Sequence, residues 1–457
     1  MKYKGKKISI IGIGGTKRSG FYTALLLKKE GAEVFVSEIK KEVEFQKEIE
    51  EFDKLGIKYE FGVNSEKILD GDIIVLCPGV PREHQIVQKA KSLGKIITGE
   101  LELSFEFING DVVGITGTSG KSTTTALTYE LIKRSGVKTH LGGNIGIPLS
   151  SLVINEREGI FVLEISAFQL ETIKKFRPKI GVFLNFHEDH LDRYKNLGEY
   201  FLFKKRIFEN QLKTDYAILN YDDEKIRDLS KEINSKVLYF SMKKDVEGIF
   251  YEKGKIFLNL DGNKEYVIDR EEISLIGDFN TNNIMAATLA SYLVTKDLNS
   301  IREGLKEFKA LPHRLEFVTE INGVKFINDS KSTKPESSKL AISSFPPKKI
   351  IIILGGSSKK SDFRELCELV KERAKFAVCI GVTKDEFVKI FNEIDFKDYV
   401  IADDLKEAIR VSYSKAERGD IILLSPACAS FDMFIDFEDR GEKFKGYVLE
   451  LKNEKEV

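Results

Sequence analysis

Short apolar runs, each ended by glycine, proline or charge, alternate with amphipathic stretches along this chain. In the first part the runs fall at 8–14, 33–38, 72–78 and 95–98, with helix-like stretches at 22–30 and 42–54 between them. Runs bounded in this way suit strands covered on both faces, so the alternation predicts βαβ units around a parallel sheet. A second series starts at Asp111 and continues through 159–166, 180–185 and 216–220. From about 237 to 268 the pattern changes to short strands and turns, which predicts an antiparallel patch, and 280–296 reads as helix. A third series follows LPHR (311–314), with strand candidates at 324–328, 349–354, 376–381 and 421–425. The expected architecture is α/β in three domains: a Rossmann-like domain over 1–98, a central domain over 99–308 with a mostly parallel sheet and, at GTSGKS (117–122), a P-loop, and a Rossmann-like domain over 309–457.

Composition narrows the partners. Of 457 residues, 42% are hydrophobic, enough for several cores, and 32% are charged, above the usual ~25%. The 72 basic and 72 acidic residues cancel, and no basic arm stands out, which argues against nucleic acid. No run reaches the ~18 apolar residues of a membrane helix. The opening MKYKGKKISIIGIGG has a short apolar run that ends in glycines, so it reads as a first strand rather than a signal peptide. Cys77, Cys367, Cys379 and Cys428 show no CxxC spacing and read as reduced thiols of a cytoplasmic protein. A monomer acting on small molecules is expected.

The clearest chemistry lies in GITGTSGKSTTT, 114–125. It departs from the usual GxxxxGK[ST] loop because Ile115 stands at the first glycine position, but GTSGKS is intact. Gly117, Thr118, Ser119 and Gly120 would cradle phosphates with backbone N–H groups at a helix N-terminus. Lys121 would reach the β- and γ-phosphates, and Ser122 and Thr123 open the helix, with Ser122 a Mg²⁺ ligand. Glu164 ends the run FVLE and is either a second metal ligand or a capping carboxylate. NFHEDHLDRY, 185–194, gathers His187, Glu188, Asp189, His190 and Asp192; a metal site, zinc included, and a solvated charge cluster both fit. Near the N-terminus ISIIGIGGTKRSG has Gly12 and Gly14 but Lys17 at the third glycine position, with Glu38 ending the second strand. An NAD-binding oxidoreductase is the rival reading there.

Nine motifs in order resemble the Mur ligase family: GTSGKST (117–123), GGNIGIP (142–148), LEISAFQLE (163–171), NFHEDHLDRY, KKRIFEN (204–210), LPHR, NDSKST (328–333), LGGSSKKSDF (354–363) and LLSPACASFDMF (423–434). NDSK and SPACAS are similar to the branch that adds D-glutamate. The resemblance implies an ATP-dependent, amide-forming ligase of cytoplasmic peptidoglycan precursor synthesis. In it ATP phosphorylates the carboxylate of UDP-N-acetylmuramoyl-L-alanine, and D-glutamate displaces phosphate from the acyl phosphate. It implies two Mg²⁺ ions held through Ser122, Glu164, His190 and Lys204, with Lys204 carrying a CO₂-derived carbamate. Lys121, Glu164, His190 and Lys204 are then the catalytic set. Asn280, Asn283, Arg314 and Asp329 would complete the ATP site. Thr16, Lys17, Glu38, Gly79, Asn144, Ser166 and Gln169 would hold the UDP substrate. Lys331, Thr333, Lys359, Ser430, Phe431 and Phe437 would hold D-glutamate. The sequence departs from the family at Cys77 (usually serine), Phe279 (usually histidine), Lys334 (usually asparagine) and Ser357 (usually aspartate). Alternatives are a related Mur or folylpolyglutamate-type ligase with another amino acid, or a P-loop ATPase of another class.

Overall fold

The computed structural model describes residues 1–15, 17–189, 193–357 and 361–456. The first sheet contains β1 (Lys7–Ile11), β2 (Glu33–Glu38), β3 (Lys58–Phe61), β4 (Ile73–Leu76) and β5 (Ile96–Gly99) in the order β3-β2-β1-β4-β5, all parallel. The stretch expected as one helix over 42–54 is a 3₁₀ turn at Glu42–Glu44 followed by a helix at Gln46–Leu55, with Phe45 buried between them.

The third glycine of the N-terminal fingerprint is displaced rather than lost. Gly20, in the first turn of the helix Ser19–Lys29, lies so close to β1 that a Cβ there would collide with the Gly12 carbonyl. Close helix–strand packing is what that glycine provides in dinucleotide folds. Lys17 is therefore relieved of it and sits half-buried in the loop.

The second sheet contains β6 (Asp111–Thr116), β7 (Thr139–Gly143), β8 (Ile160–Glu164), β9 (Ile180–Phe183), β10 (Tyr216–Asn220), β11 (Lys236–Ser241), β12 (Gly248–Glu252), β13 (Lys255–Leu260) and β14 (Asn263–Asp269). Its order is β14-β13-β12-β11-β10-β9-β6-β8-β7, parallel except at the β12–β13 and β13–β14 pairings, which form the antiparallel patch. β6 lies between β8 and β9, so the loop after β6 opens at a point where the strand order reverses, the usual place for a ligand in such sheets. The helix Glu100–Phe105 ties the first two sheets together. Glu102 accepts the backbone N–H groups of Lys174, Lys175 and Phe176 at 2.8–2.9 Å, and Glu100 accepts that of Ser150 at 2.6 Å.

The third sheet contains β15 (Glu316–Ile321), β16 (Val324–Asn328), β17 (Ile350–Gly355), β18 (Ala374–Ile380), β19 (Tyr399–Ile401) and β20 (Ile421–Leu424), in the order β15-β16-β20-β17-β18-β19. Only the β15–β16 hairpin is antiparallel. β17 reads IIIILG and is buried throughout, as a strand with both faces covered must be. The motifs NDSK and SPACAS and the segment Gly355–Ser357 leave the carboxyl ends of the adjacent strands β16, β20 and β17. The chain divides into two compact units, Met1–Glu272 with Thr281–Lys306, and Ile273–Asn280 with Glu307–Val457.

Candidate active site

In the first unit the strand–loop–helix order is as the sequence implies. β6 runs into Gly117–Gly120, and the helix Lys121–Arg134 follows. Gly120 has φ 79°, and a Cβ there would collide with the carboxamide of Asn283, so this turn admits only glycine. Gly114 is tightly packed for a different reason: a Cβ would sit 2.9 Å from Ile165 Cδ1 and 3.2 Å from Pro178 Cβ, inside the core. The threonine run is stapled to its own helix. Thr124, Thr125 and Thr128 each donate a hydroxyl to the carbonyl four residues back, which lets polar side chains be buried without loss. The N–H groups of Thr118 and Ser119 are bonded to Asn185 Oδ1 at 3.1 and 2.9 Å, and Lys121 Nζ donates to Thr118 O at 2.8 Å. Asn185, the first residue of NFHEDHLDRY, thus orders the loop, a role that the motif's charged residues draw attention away from.

Glu164 closes β8 beside this loop, in register with Ile115 of β6 and Gly143 of β7. Its Oε1 accepts from Asn144 Nδ2 at 2.7 Å, and Asn144 N donates to its carbonyl at 2.7 Å. Asn144 is thus held on Glu164. Among the described residues the second oxygen, Oε2, is buried with no hydrogen-bond partner. Burial pushes this carboxyl up, but the charge of Lys121, with help from Ser122, Asn144 and Lys17, outweighs it and leaves the group below the usual range. A charged, buried oxygen with an open lone pair next to a serine at the head of a P-loop helix is a hard donor set of the kind Mg²⁺ takes. Among the described residues no three His, Cys, Asp or Glu side chains converge on a metal position.

Lys204, in the last turn of the helix Leu197–Lys205, is 1% exposed. Its Nζ donates to Gly117 O at 2.7 Å and lies 4.7 Å from the centre of the Tyr200 ring. Burial, and then the charge of Lys121, drive its pKa well below the ordinary lysine value. Burial likewise lowers His187. His190, Thr16 and Lys359 lie outside the described residues.

The residues expected around the UDP substrate are engaged locally. Ser166 and Gln169 form a capping box on the short helix Ala167–Leu170. Glu38 Oε2 accepts from Ile13 N at 2.7 Å and its Oε1 from Lys40 N at 3.0 Å, so it shapes the loop after β1. Burial lowers the Lys17 pKa, against the opposing charge of Glu164. The Gly79 carbonyl accepts from Arg193 Nη1 at 3.3 Å. Arg193 also bonds Val80 O and pairs with buried Glu171 at 2.9 Å, and Arg82 pairs with the same carboxylate at 3.3 Å. Sequence reasoning missed this Glu171 network, although Glu171 ends LEISAFQLE and Arg193 stands in NFHEDHLDRY.

In the second unit Asp329 is buried after β16. It accepts from Ser332 Oγ at 2.6 Å, Ser425 Oγ at 2.8 Å and Leu315 N at 3.2 Å. Burial raises its pKa to about 6 despite those bonds and the nearby charge of Arg314. Lys331 places Nζ 5.0 Å from the centre of the Phe437 ring, Thr333 N bonds Lys331 O at 2.9 Å, and Ser430 is buried while Phe431 is 71% exposed. Asn280 and Asn283, on the helix Asp278–Thr295, are both buried; Asn283 meets the P-loop at Gly120, and Asn280 Nδ2 donates to Ile276 O at 2.6 Å.

A P-loop with a neighbouring open carboxylate, followed by a further α/β sheet bearing a lysine-, serine- and threonine-lined loop cluster, defines an ATP-using enzyme of the ligase type. The comparisons with known proteins specify which. Residues 115–291 match the Mur ligase middle domain, 313–428 the Mur ligase glutamate ligase domain, and 7–86 the MurD N-terminal domain. The chain is 40% identical over 456 residues to the UDP-N-acetylmuramoylalanine–D-glutamate ligase of Clostridioides difficile, covering 99% of this chain and 100% of that protein. It is 41% identical over 455 residues to the same-named ligase of Pelotomaculum thermopropionicum, covering 98% of each. In fold it is similar to the UDP-N-acetylmuramate–alanine ligase of Thermotoga maritima, with TM-score 0.60 at 20% identity over 98% of this chain and 100% of that one. A pseudomurein peptide ligase type C from Methanothermus fervidus gives TM-score 0.59 at 21% identity over 98% and 100%. The chain belongs to the Mur ligase family, in the branch of the UDP-N-acetylmuramoylalanine–D-glutamate ligases. Mur ligases use ATP and Mg²⁺.

Proposed function

We propose that this enzyme joins D-glutamate to UDP-N-acetylmuramoyl-L-alanine in cytoplasmic peptidoglycan precursor synthesis, through an acyl phosphate. The observation that carries the chemistry is the group formed by Lys121, Ser122, Glu164 and Lys204 around the loop after β6. The Gly117–Gly120 backbone and Lys121 bind the triphosphate and neutralise charge as the γ-phosphoryl group moves to the alanine carboxylate, where positioning and electrostatics supply most of the rate. The amine of D-glutamate then attacks the acyl carbon, the C–N bond forms as the C–O bond to phosphate breaks, and the amine releases a proton. Ser122 and the open oxygen of Glu164 would hold Mg²⁺, which would supply positive charge to offset that of the phosphates. Asn144 orients Glu164 as a ligand, and Arg193 with Glu171 steadies the 79–80 turn expected to face the UDP moiety. Three helix and strand ends position these groups, so few long loops need ordering.

Lys204 is read as the carbamate-bearing residue. An ammonium would repel a metal, whereas a neutral amine adds CO₂ to give an N-carboxylate and a proton. A buried amine bonded to a carbonyl is suited to that reaction. Lys331, Thr333, Lys359, Ser430, Phe431 and Phe437 are read as the D-glutamate site, and Asn280, Asn283, Arg314 and Asp329 as ATP-side residues. Thr16, Lys17, Glu38, Gly79, Asn144, Ser166 and Gln169 are read as the UDP-substrate side, with Glu38, Ser166 and Gln169 acting through the loop and helix cap they shape. The test is phosphate release from ATP, Mg²⁺ and UDP-N-acetylmuramoyl-L-alanine with a panel of amino acids. Release that requires D-glutamate is expected; release with L-alanine, or with no amino acid, overturns the reading.

A further inference from the structure

The helix Phe437–Glu456 carries Arg440 in its first turn, and Arg440 is the largest fully buried side chain, at 0% exposure. All of its donors are used, and all on uncharged oxygens. Nε bonds Ser330 Oγ at 2.9 Å; Nη2 bonds Ser330 O at 2.8 Å and Cys428 O at 3.1 Å; Nη1 bonds Cys428 O at 3.1 Å and Ala429 O at 3.4 Å. Ser330 precedes Lys331, and Ala429 precedes Ser430. The loop after β17 is also close: a Cβ on Gly356 would lie 3.2 Å from Nη1. One guanidinium therefore stands where the three loops after β16, β20 and β17 meet.

The charge has no carboxylate within ion-pair distance among the described residues. Asp329 and Asp432 act on it only through space, and Asp329 is itself driven toward its neutral form. Burial pushes the guanidinium down to about 10, so it stays charged near neutrality. A planar fork with five donors is suited to collecting several carbonyls at fixed angles, and an ammonium cannot reproduce it. Inside a protein such a charge acts over longer distances than in water.

We propose that Arg440 is a positioning residue for the amino-acid substrate, which fixes the loops carrying Lys331 and Ser430 and supplies a buried positive charge that favours an acidic amino acid there. This rests on the ligase reading above. An amino dicarboxylate carries net charge −1, and this cation stands one residue behind two of its expected contacts.

The test is steady-state kinetics of the full-length enzyme with all three substrates, for wild type, Arg440→Lys, Arg440→Met and Arg440→Ala, with thermal unfolding of each. Arg440→Met should raise the KM for D-glutamate by about 30-fold or more, as expected for losing charge-assisted hydrogen bonds, while the KM values for ATP and the UDP substrate stay within about twofold. Arg440→Lys, which keeps the charge and loses the fork, should lie between. Millimolar guanidinium ion should restore part of the D-glutamate affinity of Arg440→Ala and leave wild type unchanged. An unchanged KM for D-glutamate overturns the proposal. So does a parallel rise in all three KM values, or failure of every variant to fold, since either marks a purely structural residue. A wild-type enzyme that does not depend on D-glutamate defeats the ligase reading instead, and the two failures are separately visible.

Discussion

Lys204 in the first unit and Arg440 in the second are both buried cationic residues without a carboxylate partner among the described residues, yet they are equipped for opposite roles. Among the described residues Lys204 has one acceptor, Gly117 O, and burial drives its pKa well down, which disfavours the charged form. Arg440 fills every donor and keeps its charge. The difference follows from the side chains. An ammonium can give up its proton when desolvated, whereas a guanidinium answers desolvation by gathering oxygens. On the readings proposed above, one region serves chemistry at a side-chain nitrogen and the other holds loops around a charge.

Substitutions can break that comparison. The largest effect is expected for Lys204→Ala, which should lose about 10²-fold or more in kcat and regain part of it with a short carboxylic acid. Full activity in that variant would remove Lys204 from the chemistry. Gly120→Ala should come next. The added methyl forces the loop away from Asn283, and displacements of this order cost about 10²-fold in kcat/KM for ATP. Unchanged ATP kinetics would show that the loop yields.

Stability gives a sharper contrast. In metal-free protein, Lys204→Met replaces a poorly satisfied amine with an apolar chain and should be neutral or stabilising by about 1 kcal/mol. Arg440→Met strands buried carbonyls and should cost about 1–3 kcal/mol. Urea unfolding of both variants measures this, and the same sign for both would erase the distinction.

The smallest effect concerns Asp329. Its folded pKa, about 6, lies above the ordinary 3.8, so its contribution to stability is fully present below about pH 4 and is lost as pH rises through 6. Asp329→Asn should show a smaller loss of unfolding midpoint over that interval than wild type. Parallel curves would mean that the carboxyl is not held in its neutral form.

Much of this was legible in the chain. Apolar runs marked β1, β6, β8, β17 and β20, because strands covered on both faces cannot hide their composition. The run GTSGKS marked a phosphate loop because it needs glycine at fixed turns. What escaped was long-range. Arg440 lies 110 residues from Ser330, and nothing in FEDRG predicts which carbonyls a helical arginine will collect. Gly20 was hidden because its packing role had moved three places along the chain from the usual spacing. Ser166 and Gln169 read as ligand contacts, but their spacing is also that of a capping box, and the local bonds are made. β15 is an edge strand whose apolar positions are interrupted by charge and partly exposed, and β19 is only three residues long, so neither makes a bounded apolar run.

The most direct measurement is ¹³C NMR of the enzyme equilibrated with ¹³C-bicarbonate. A carbamate carbonyl resonance is expected in wild type and in Arg440→Lys, and it should vanish in Lys204→Arg. No resonance in wild type, or one that persists in Lys204→Arg, would contradict the division of roles between the two buried cations.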